Sequence, residues 1–208
     1  MILVNNIYAQ EITNLDDFQL IGKKNFLHDH ETFDIDGNLN VVIEIPAGTN
    51  EKWEVSEDGS KLELEFINGL PRIINYIGYP FSYGFIPKTL SDTKGGGDGD
   101  AVDIIVLGQK KIKRGEVIPV KIIGMYLMTE GDKIDNKVIT VQIGSKFEKV
   151  NSLKILNTSY LGILEIIEIW FNNYKGSTPI SNGFVSRRSA KDFIEQAKNY
   201  YDKNKSKN

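Results

Sequence analysis

The chain has 208 residues, of which 40% are hydrophobic and 25% are charged, so it can fill the core of one domain and is not disordered by composition. The formal net charge of -3 argues against the broad basic surface that binds nucleic acid. Cysteine is absent, which excludes disulfides and thiolate metal sites, and no apolar run approaches the roughly 18 residues of a membrane-spanning helix.

Residues 1–39 carry no motif that points to a function, and we assign them to an amino-terminal extension of the main domain. The opening MILVNNIYAQ is short and lacks the basic leader of a secretory signal, so we expect a cytoplasmic protein. The alternative is an exported protein in which residues 1–10 are the end of a signal peptide. His28 and His30 are interpreted as a solvated turn and not as a metal site.

β-Rich segments dominate the next hundred or so residues. NVVIEIPAG is a β-branched run stopped by Pro46, and KWEV and KLELEF alternate at period two around the turn SEDG. The pattern predicts a set of five to seven strands, with the clearest segments at 40–48, 52–55, 61–66, 103–107, 117–128 and 137–143.

The last part of the chain has helical periodicity. NTSYLGILEIIEIWFNNYKG predicts one long helix that ends at Gly176, and SAKDFIEQAKNYYDK predicts a second helix with Ser189 as its N-cap. The apolar face of the second helix carries Phe193, Ile194, Ala197 and Tyr200. Strands followed by helices indicate a mainly β domain over residues 40–203, a small β-barrel braced by carboxyl-terminal helices. Residues 204–208 are predicted to be a disordered tail.

The stretch GGGDGDAVDIIVL places Asp98, Asp100 and Asp103 at the entrance of an apolar strand. Two carboxylates about 4 Å apart repel by about 4 kcal/mol at an effective dielectric constant of about 20, so protons or cations must compensate. The preceding glycines allow the backbone to bend until the three side chains converge. Carboxylates alone select Mg²⁺ or Mn²⁺, or Ca²⁺ where more protein oxygens are supplied. A solvated turn with fortuitous charge is the alternative.

Other segments carry charges that suit the same chemistry. Glu44 lies in an apolar strand, where a charge is costly unless it is paired or metal-bound. Lys52 and Glu54 project from one face of their strand, and Tyr83 either offers a phenol to an anion or is an ordinary packed tyrosine. The turn MTEGDKIDNKV adds Glu130, Asp132, Asp135 and Lys137. Carboxylates for several divalent ions together with cationic side chains are what metal-assisted phosphoryl transfer to water requires.

Five segments, in this order, resemble those of the family I soluble inorganic pyrophosphatases: VVIEIPAG, KWE, YPFSYGFIPKTL, DGDAVDIIVL and MTEGDKIDNK, followed by NYK at Tyr174 and Lys175. The resemblance covers roughly residues 40–176. It implies a five-stranded OB-like barrel flanked by α-helices and Mg²⁺-dependent hydrolysis of pyrophosphate to two orthophosphates, with Mn²⁺ as another possible metal. It also implies a homo-oligomer, with a hexamer as one form, and no nucleic-acid or membrane partner is expected.

The resemblance also implies a role for each matching residue. Asp98, Asp103 and Asp135 resemble the ligands of the activating metals. Asp100 resembles the carboxylate that orients and deprotonates the attacking water, and it is also counted among the metal-binding residues. Glu44 and Glu130 resemble ligands of metals that arrive with the substrate, and Glu54 resembles a carboxylate that acts through water. The residues that resemble phosphate-binding groups are Lys52, Arg72, Tyr83, Lys137, Tyr174 and Lys175.

The chain also departs from the family pattern. Glu130 stands where the family usually has Asp, so Asp132 could substitute if the turn is rearranged. Ala101 and Ser82 replace a proline and an asparagine, residues 93–97 resemble an insertion, and the spacing around Arg72 is unusual. Three other functions stay open. The first is a non-catalytic OB-type binding module, although the acid-rich segments oppose a nucleic-acid groove. The others are a relative that keeps the metals but has lost turnover through the Glu130 change, and a phosphatase for other phosphate esters.

Overall fold

The computed structural model describes residues 12–176 and 179–205 of the chain. The strands are β1 (Ile12–Asp16), β2 (Gln19–Gly22), β3 (Leu39–Ile45), β4 (Trp53–Val55), β5 (Lys61–Leu64), β6 (Phe66–Ile67), β7 (Leu70–Pro71), β8 (Ser82–Phe85), β9 (Asp103–Leu107), β10 (Val117–Glu130), β11 (Lys133–Ile134), β12 (Lys137–Gln142) and β13 (Pro179–Ser186). The helices are α1 (Leu153–Ser159), α2 (Ile163–Asn173) and α3 (Arg187–Lys205).

A closed five-stranded barrel forms the centre of the molecule. β3 pairs with β8, β8 with β9, β9 with β12, β12 with β10, and the first part of β10 returns to β3. Only the β9–β12 pair in this ring is parallel. The mainly β barrel with carboxyl-terminal helices is therefore confirmed.

The remaining strands extend or cover the barrel. β11 and β13 pair with the far part of β10, and β1, β2, β5 and β4 form a separate antiparallel sheet in that order. β6 and β7 form a short hairpin. Residues 12–22 thus join the sheet that contains β4 and β5, whereas residues 1–11 lie outside the described part of the chain.

The barrel wall is apolar on both faces because it has one core inside and another under α3. In β9, Ile105 and Leu107 pack in the cluster that contains the α2 residues, whereas Ile104 and Val106 pack with Ala190 and Ile194 of α3. Successive side chains of a strand point to opposite faces, so two covered faces require the continuous run DIIVL.

The helical region differs from the prediction in three ways. The prediction of a single long helix is wrong, because Tyr160 caps the end of α1 and Gly162, with a left-handed φ of 85°, caps the start of α2. Ser189 lies inside α3, and its backbone N donates to Ser186 Oγ at 3.3 Å, so Ser186 and not Ser189 precedes the helix. Strand β13 was not predicted.

The buried face of α3 is partly as predicted. Ile194 and Ala197 are buried, but Tyr201 is buried where Tyr200 was expected. Residues 204 and 205 are helical, although they were assigned to the tail, and residues 206–208 lie outside the described range. No helix within the described ranges is long and apolar enough to cross a membrane.

The histidine segment packs against α3 and is not a solvated turn. His28 Nδ1 lies 2.7 Å from the hydroxyl of Tyr201, and His30 is half-buried. Burial lowers the pKa of both imidazoles, assisted by Lys205 at His28 and Lys24 at His30. Each imidazole is therefore held toward its neutral form, which suits packing.

Gly84 in β8 allows the backbones of β8 and the neighbouring strand β3 to approach closely. A Cβ atom at Gly84 would lie 1.9 Å from the carbonyl oxygen of Val42, whereas a Cβ at Gly95 would meet only Asp92 Oδ2 at 3.5 Å. We expect Gly84→Ala to lower the free energy of unfolding by about 3 kcal/mol or more, because a backbone atom must move. Gly95→Ala should cost less than about 1 kcal/mol. Denaturant unfolding measures both, and equal losses would contradict the clash.

Candidate active site

One end of the barrel opens into a cavity of about 710 Å³. Its wall combines the ends of β3, β8, β9, β10 and β12 with the loop before β9 and the residues after α2. The predicted site residues in its wall are Glu44, Lys52, Glu54, Tyr83, Asp98, Asp100, Asp103, Glu130, Asp135, Lys137, Tyr174 and Lys175. Segments far apart in sequence are thus brought to one place.

The three aspartates of the glycine-rich segment lie in this wall. Asp98 accepts a hydrogen bond from the backbone N of Asp100 at 3.0 Å, and both residues are exposed, whereas Asp103 begins β9 and is half-buried. Desolvation, with the neighbouring charges of Asp98 and Asp103, raises the pKa of Asp100 to about 6. Asp100 is therefore more readily protonated than an isolated aspartate, whereas the pKa of Asp103 is lowered.

Lys137 lies between two of the predicted metal ligands. The register of β9 and β12 pairs Ile104 with Val138, so Asp103 and Lys137 occupy equivalent positions at the start of neighbouring strands. The ammonium of Lys137, 2% exposed, forms ion pairs with Asp103 and with Asp135. Burial opposes the charged forms, but Lys137 and Lys52 hold the pKa of Asp103 below its usual value. The two aspartates in turn raise the pKa of Lys137, which stays charged.

A second mixed cluster surrounds Glu44. Its carboxylate is buried, accepts a hydrogen bond from the backbone N of Val55 at 2.7 Å, and has a pKa raised to about 8 by burial. Lys52 Nζ pairs with Glu54 at 2.8 Å in the same wall. Lys52 lowers the pKa of Glu54, and these alternating charges limit the repulsion among the acids.

Tyrosines and a terminal lysine complete the wall. The hydroxyl of Tyr83 helps to lower the pKa of Asp103, and the Tyr83 ring lies 5.6 Å from Lys52 Nζ. Tyr174 stacks on Trp170 with ring centroids 4.5 Å apart, which fixes the end of α2. Lys175 Nζ pairs with Glu130 at 2.6 Å. The terminus of α2 thus carries both a phenol and a cation into the cavity.

Two sequence candidates do not line the cavity. Arg72 follows the β6–β7 hairpin and pairs with Glu65 at 2.6 Å, although its charge still acts on Glu54 and Tyr174. Asp132 is exposed in the turn between β10 and β11 and does not line the cavity, whereas Glu130 does. Asp132 therefore does not take the place of Glu130.

Two residues of the site had no distinctive sequence signal. Lys133 lines the cavity beside the acids, but a lysine in a charged turn is unremarkable in sequence. Arg114 donates from Nε to the carbonyl of Glu44 at 2.8 Å and stacks on Trp53 at 4.0 Å, so it supports β3 and β4 from behind. Its partners become evident only in the folded chain.

The donor set of the cavity suits a hard divalent cation. The available ligands are carboxylate oxygens, which such ions prefer. Across residues 12–176 and 179–205, no three acidic or imidazole groups converge closely enough to hold an ion as they stand. The charge of Lys137 lies between Asp103 and Asp135 instead, so this arrangement is already built around a positive charge.

Replacement of Lys137 should show how strongly these acids depend on a counter-charge. We expect Lys137→Met to lower the free energy of unfolding in chelator by about 2–3 kcal/mol, because Asp103 and Asp135 are left unpaired. The value lies below that for a fully buried pair, since the Asp103 side chain is 28% exposed. Lys133→Met removes an exposed lysine from the same wall and is the matched control. Equal losses for both variants would contradict the role of Lys137.

Comparison with known proteins gives a consistent family. The model of the family described as inorganic pyrophosphatase matches residues 41–202. The inorganic pyrophosphatase of Saccharolobus solfataricus is 34% identical over 166 residues, which cover 76% of this chain and 89% of that protein. The enzyme of Campylobacter jejuni is 42% identical over 86 residues, or 41% of this chain, but the match spans only 44% of that relative's length.

Solved structures share the fold. A crystal structure described as the N-terminal domain truncated vacuolar soluble pyrophosphatase of Trypanosoma cruzi in complex with PPi superposes with a TM-score of 0.87. The two sequences are 22% identical, and the match covers 95% of this chain and 91% of that one. At 22% sequence identity, this structural similarity shows the fold alone.

Proposed function

Because the chain belongs to the inorganic pyrophosphatase family, we propose that it hydrolyses inorganic pyrophosphate to two orthophosphates with several Mg²⁺ ions held by the aspartate cluster. The observation that carries this proposal is the convergence of carboxylates and cationic side chains on one cavity. A tetraanionic substrate that arrives with divalent ions needs both kinds of group in one place. Mn²⁺ is the alternative metal.

We assign the metal ions to the carboxylates. Asp98, Asp103 and Asp135 would hold the activating ions, and Glu44 and Glu130 would hold ions that accompany the substrate. Bound there, divalent ions supply positive charge and lower the pKa of a water molecule toward neutrality. Glu54, paired with Lys52 at the rim of the cluster, would act through water.

Asp100 is assigned as the group that orients the attacking water and accepts its proton. It extends from the loop before β9 into the cavity and is exposed, so a water molecule can approach it. Desolvation and the acidic neighbours raise its pKa, so the carboxylate is a better proton acceptor than an isolated aspartate.

The cationic and phenolic groups are assigned to the phosphates. Lys52, Lys137 and Lys175 would neutralise phosphate oxygens, including the charge that builds on the leaving group. Tyr83 and Tyr174 would donate from their hydroxyls. Arg72 also belongs to this proposed set, although it does not line the cavity. Its ion pair with Glu65 would have to rearrange before Arg72 could contact a substrate.

The other functions are less well supported. A nucleic-acid-binding module needs a basic groove with stacking aromatics, whereas acidic residues line much of this cavity. A relative without turnover would owe its inactivity to Glu130, whose longer side chain pairs with Lys175 here. A phosphatase for organic esters would hydrolyse them in competition with pyrophosphate. Cytoplasmic location and a homo-oligomer, with a hexamer as one form, stay predictions.

Release of orthophosphate from pyrophosphate tests the proposed reaction directly. We expect rapid release by the purified chain with Mg²⁺ and none with a chelator, because the carboxylates cannot activate water without a cation. Organic phosphate esters serve as competing substrates and should be hydrolysed much more slowly in Mg²⁺. Release that persists in the chelator, or no release with Mg²⁺ or Mn²⁺, would contradict the proposal.

The assignment of Asp100 has its own test. Asp100→Asn should lower kcat by roughly 100-fold or more, because the amide cannot accept a proton, while Mg²⁺ binding by calorimetry persists. Asp132→Asn removes a nearby aspartate outside the cavity and should leave kcat within about twofold. Full activity in Asp100→Asn would show that another group is the base.

A further inference from the structure

Residues 91–100, here called the aspartate loop, form a loop whose two ends are joined by a backbone hydrogen bond. The backbone N of Ser91 donates to the carbonyl of Asp100 at 2.7 Å and joins the two ends. Inside the loop, Asp92 accepts from the backbone N of Lys94 through its side chain at 2.9 Å and from Gly97 N through its carbonyl at 2.8 Å. The loop that carries Asp98 and Asp100 therefore has a defined internal shape.

Two contacts tie this loop to the rest of the protein. The Thr93 and Tyr200 hydroxyls are 2.9 Å apart, and the Gly96 carbonyl accepts from the backbone N of Ile134 at 2.8 Å. Ile134 directly precedes Asp135, so the second contact links the two segments that carry metal-ligand candidates. A Cβ atom at Gly99 would lie 3.2 Å from Thr93 Cγ2, so Thr93 also packs against the turn beside Asp98.

Helix α3 gives the first contact a rigid base. Ala190, Ile194 and Ala197 are buried in the core between α3 and the barrel. The backbone N of Leu90, just before the loop, donates to the carbonyl of Ala197 at 3.2 Å. Tyr200 therefore projects from a helix that is fixed on the barrel and already joined to the base of the loop.

We propose that Tyr200 is a positioning residue that acts through Thr93 to hold the aspartate loop against β11 and thereby sets the separation of Asp98 from Asp135. This inference rests on the proposed function for the assignment of those two aspartates as metal ligands. Residues 93–97, which resemble an insertion, become the connector between α3 and the metal site. A cation held by ligands from two segments binds more tightly when both segments are already in place.

Calorimetric titration of the full chain with Mg²⁺ tests the role of Tyr200. Tyr200→Phe and Thr93→Val each remove one side of the same hydrogen bond, and we expect each to weaken Mg²⁺ binding by roughly three- to tenfold. The double variant should be no weaker than either single variant, because only one bond is lost. Amide hydrogen exchange at Ile134 should be faster in both single variants.

Tyr160→Phe is the matched control. It removes a tyrosine hydroxyl that donates to the Lys146 carbonyl at 3.1 Å, outside the cavity wall. It should leave Mg²⁺ affinity unchanged. In turnover assays, Tyr200→Phe should raise the Mg²⁺ concentration for half-maximal rate and leave kcat at saturating Mg²⁺ nearly unchanged, which a general loss of stability would not do.

The outcomes separate this inference from the proposed function. Wild-type hydrolysis of pyrophosphate, with Mg²⁺ affinity in Tyr200→Phe equal to that of Tyr160→Phe, would overturn the role of Tyr200 alone. Mg²⁺ binding that depends on Tyr200 in a protein that does not hydrolyse pyrophosphate would support the positioning role and overturn the proposed reaction. A wild-type chain that binds no Mg²⁺ would overturn both.

Discussion

The cavity depends on one electrostatic constraint, which is that carboxylates drawn out of water must have positive charge among them. Lys137, buried between Asp103 and Asp135, satisfies it on one side of the cavity, and Lys52 does so beside Glu54. A buried ion pair rarely stabilises a fold more than an apolar pair of the same size. The arrangement suits the proposed function, because a site that bound both metal cations and phosphate anions would need both signs of charge at short range.

Much of the fold and most of the candidate site could be predicted because the informative patterns are local. The strand VVIEIPAG has its own β-branched run and a proline stop, and the barrel strands contain the runs IIVL and VITV, which are apolar or β-branched throughout. The resemblance then identified which polar side chains belong together, and every residue that it assigned to the site except Arg72 lines one cavity. The metal and substrate roles of these residues stay predictions.

The features that sequence reasoning missed depend on tertiary partners. Gly162 interrupts a periodic helical pattern, and only the packed chain shows two short helices there. Strand β13 contains Pro179, Asn182 and Gly183, which are turn residues by propensity, but the exposed edge of β10 provides its hydrogen-bond partners. The pairing of Lys137 with Asp103 also follows from the register of β9 and β12, which one strand cannot reveal by itself.

The parallel pairing of β9 and β12 has a consequence for the folding of the protein. Asp103 and Lys137 are 34 residues apart in sequence, with β10 between their strands in chain order, and become neighbours only when β9 and β12 pair. Such non-local pairing is slow compared with the formation of helices and hairpins. The ion pair between Asp103 and Lys137 therefore cannot form before these two strands of the barrel have paired.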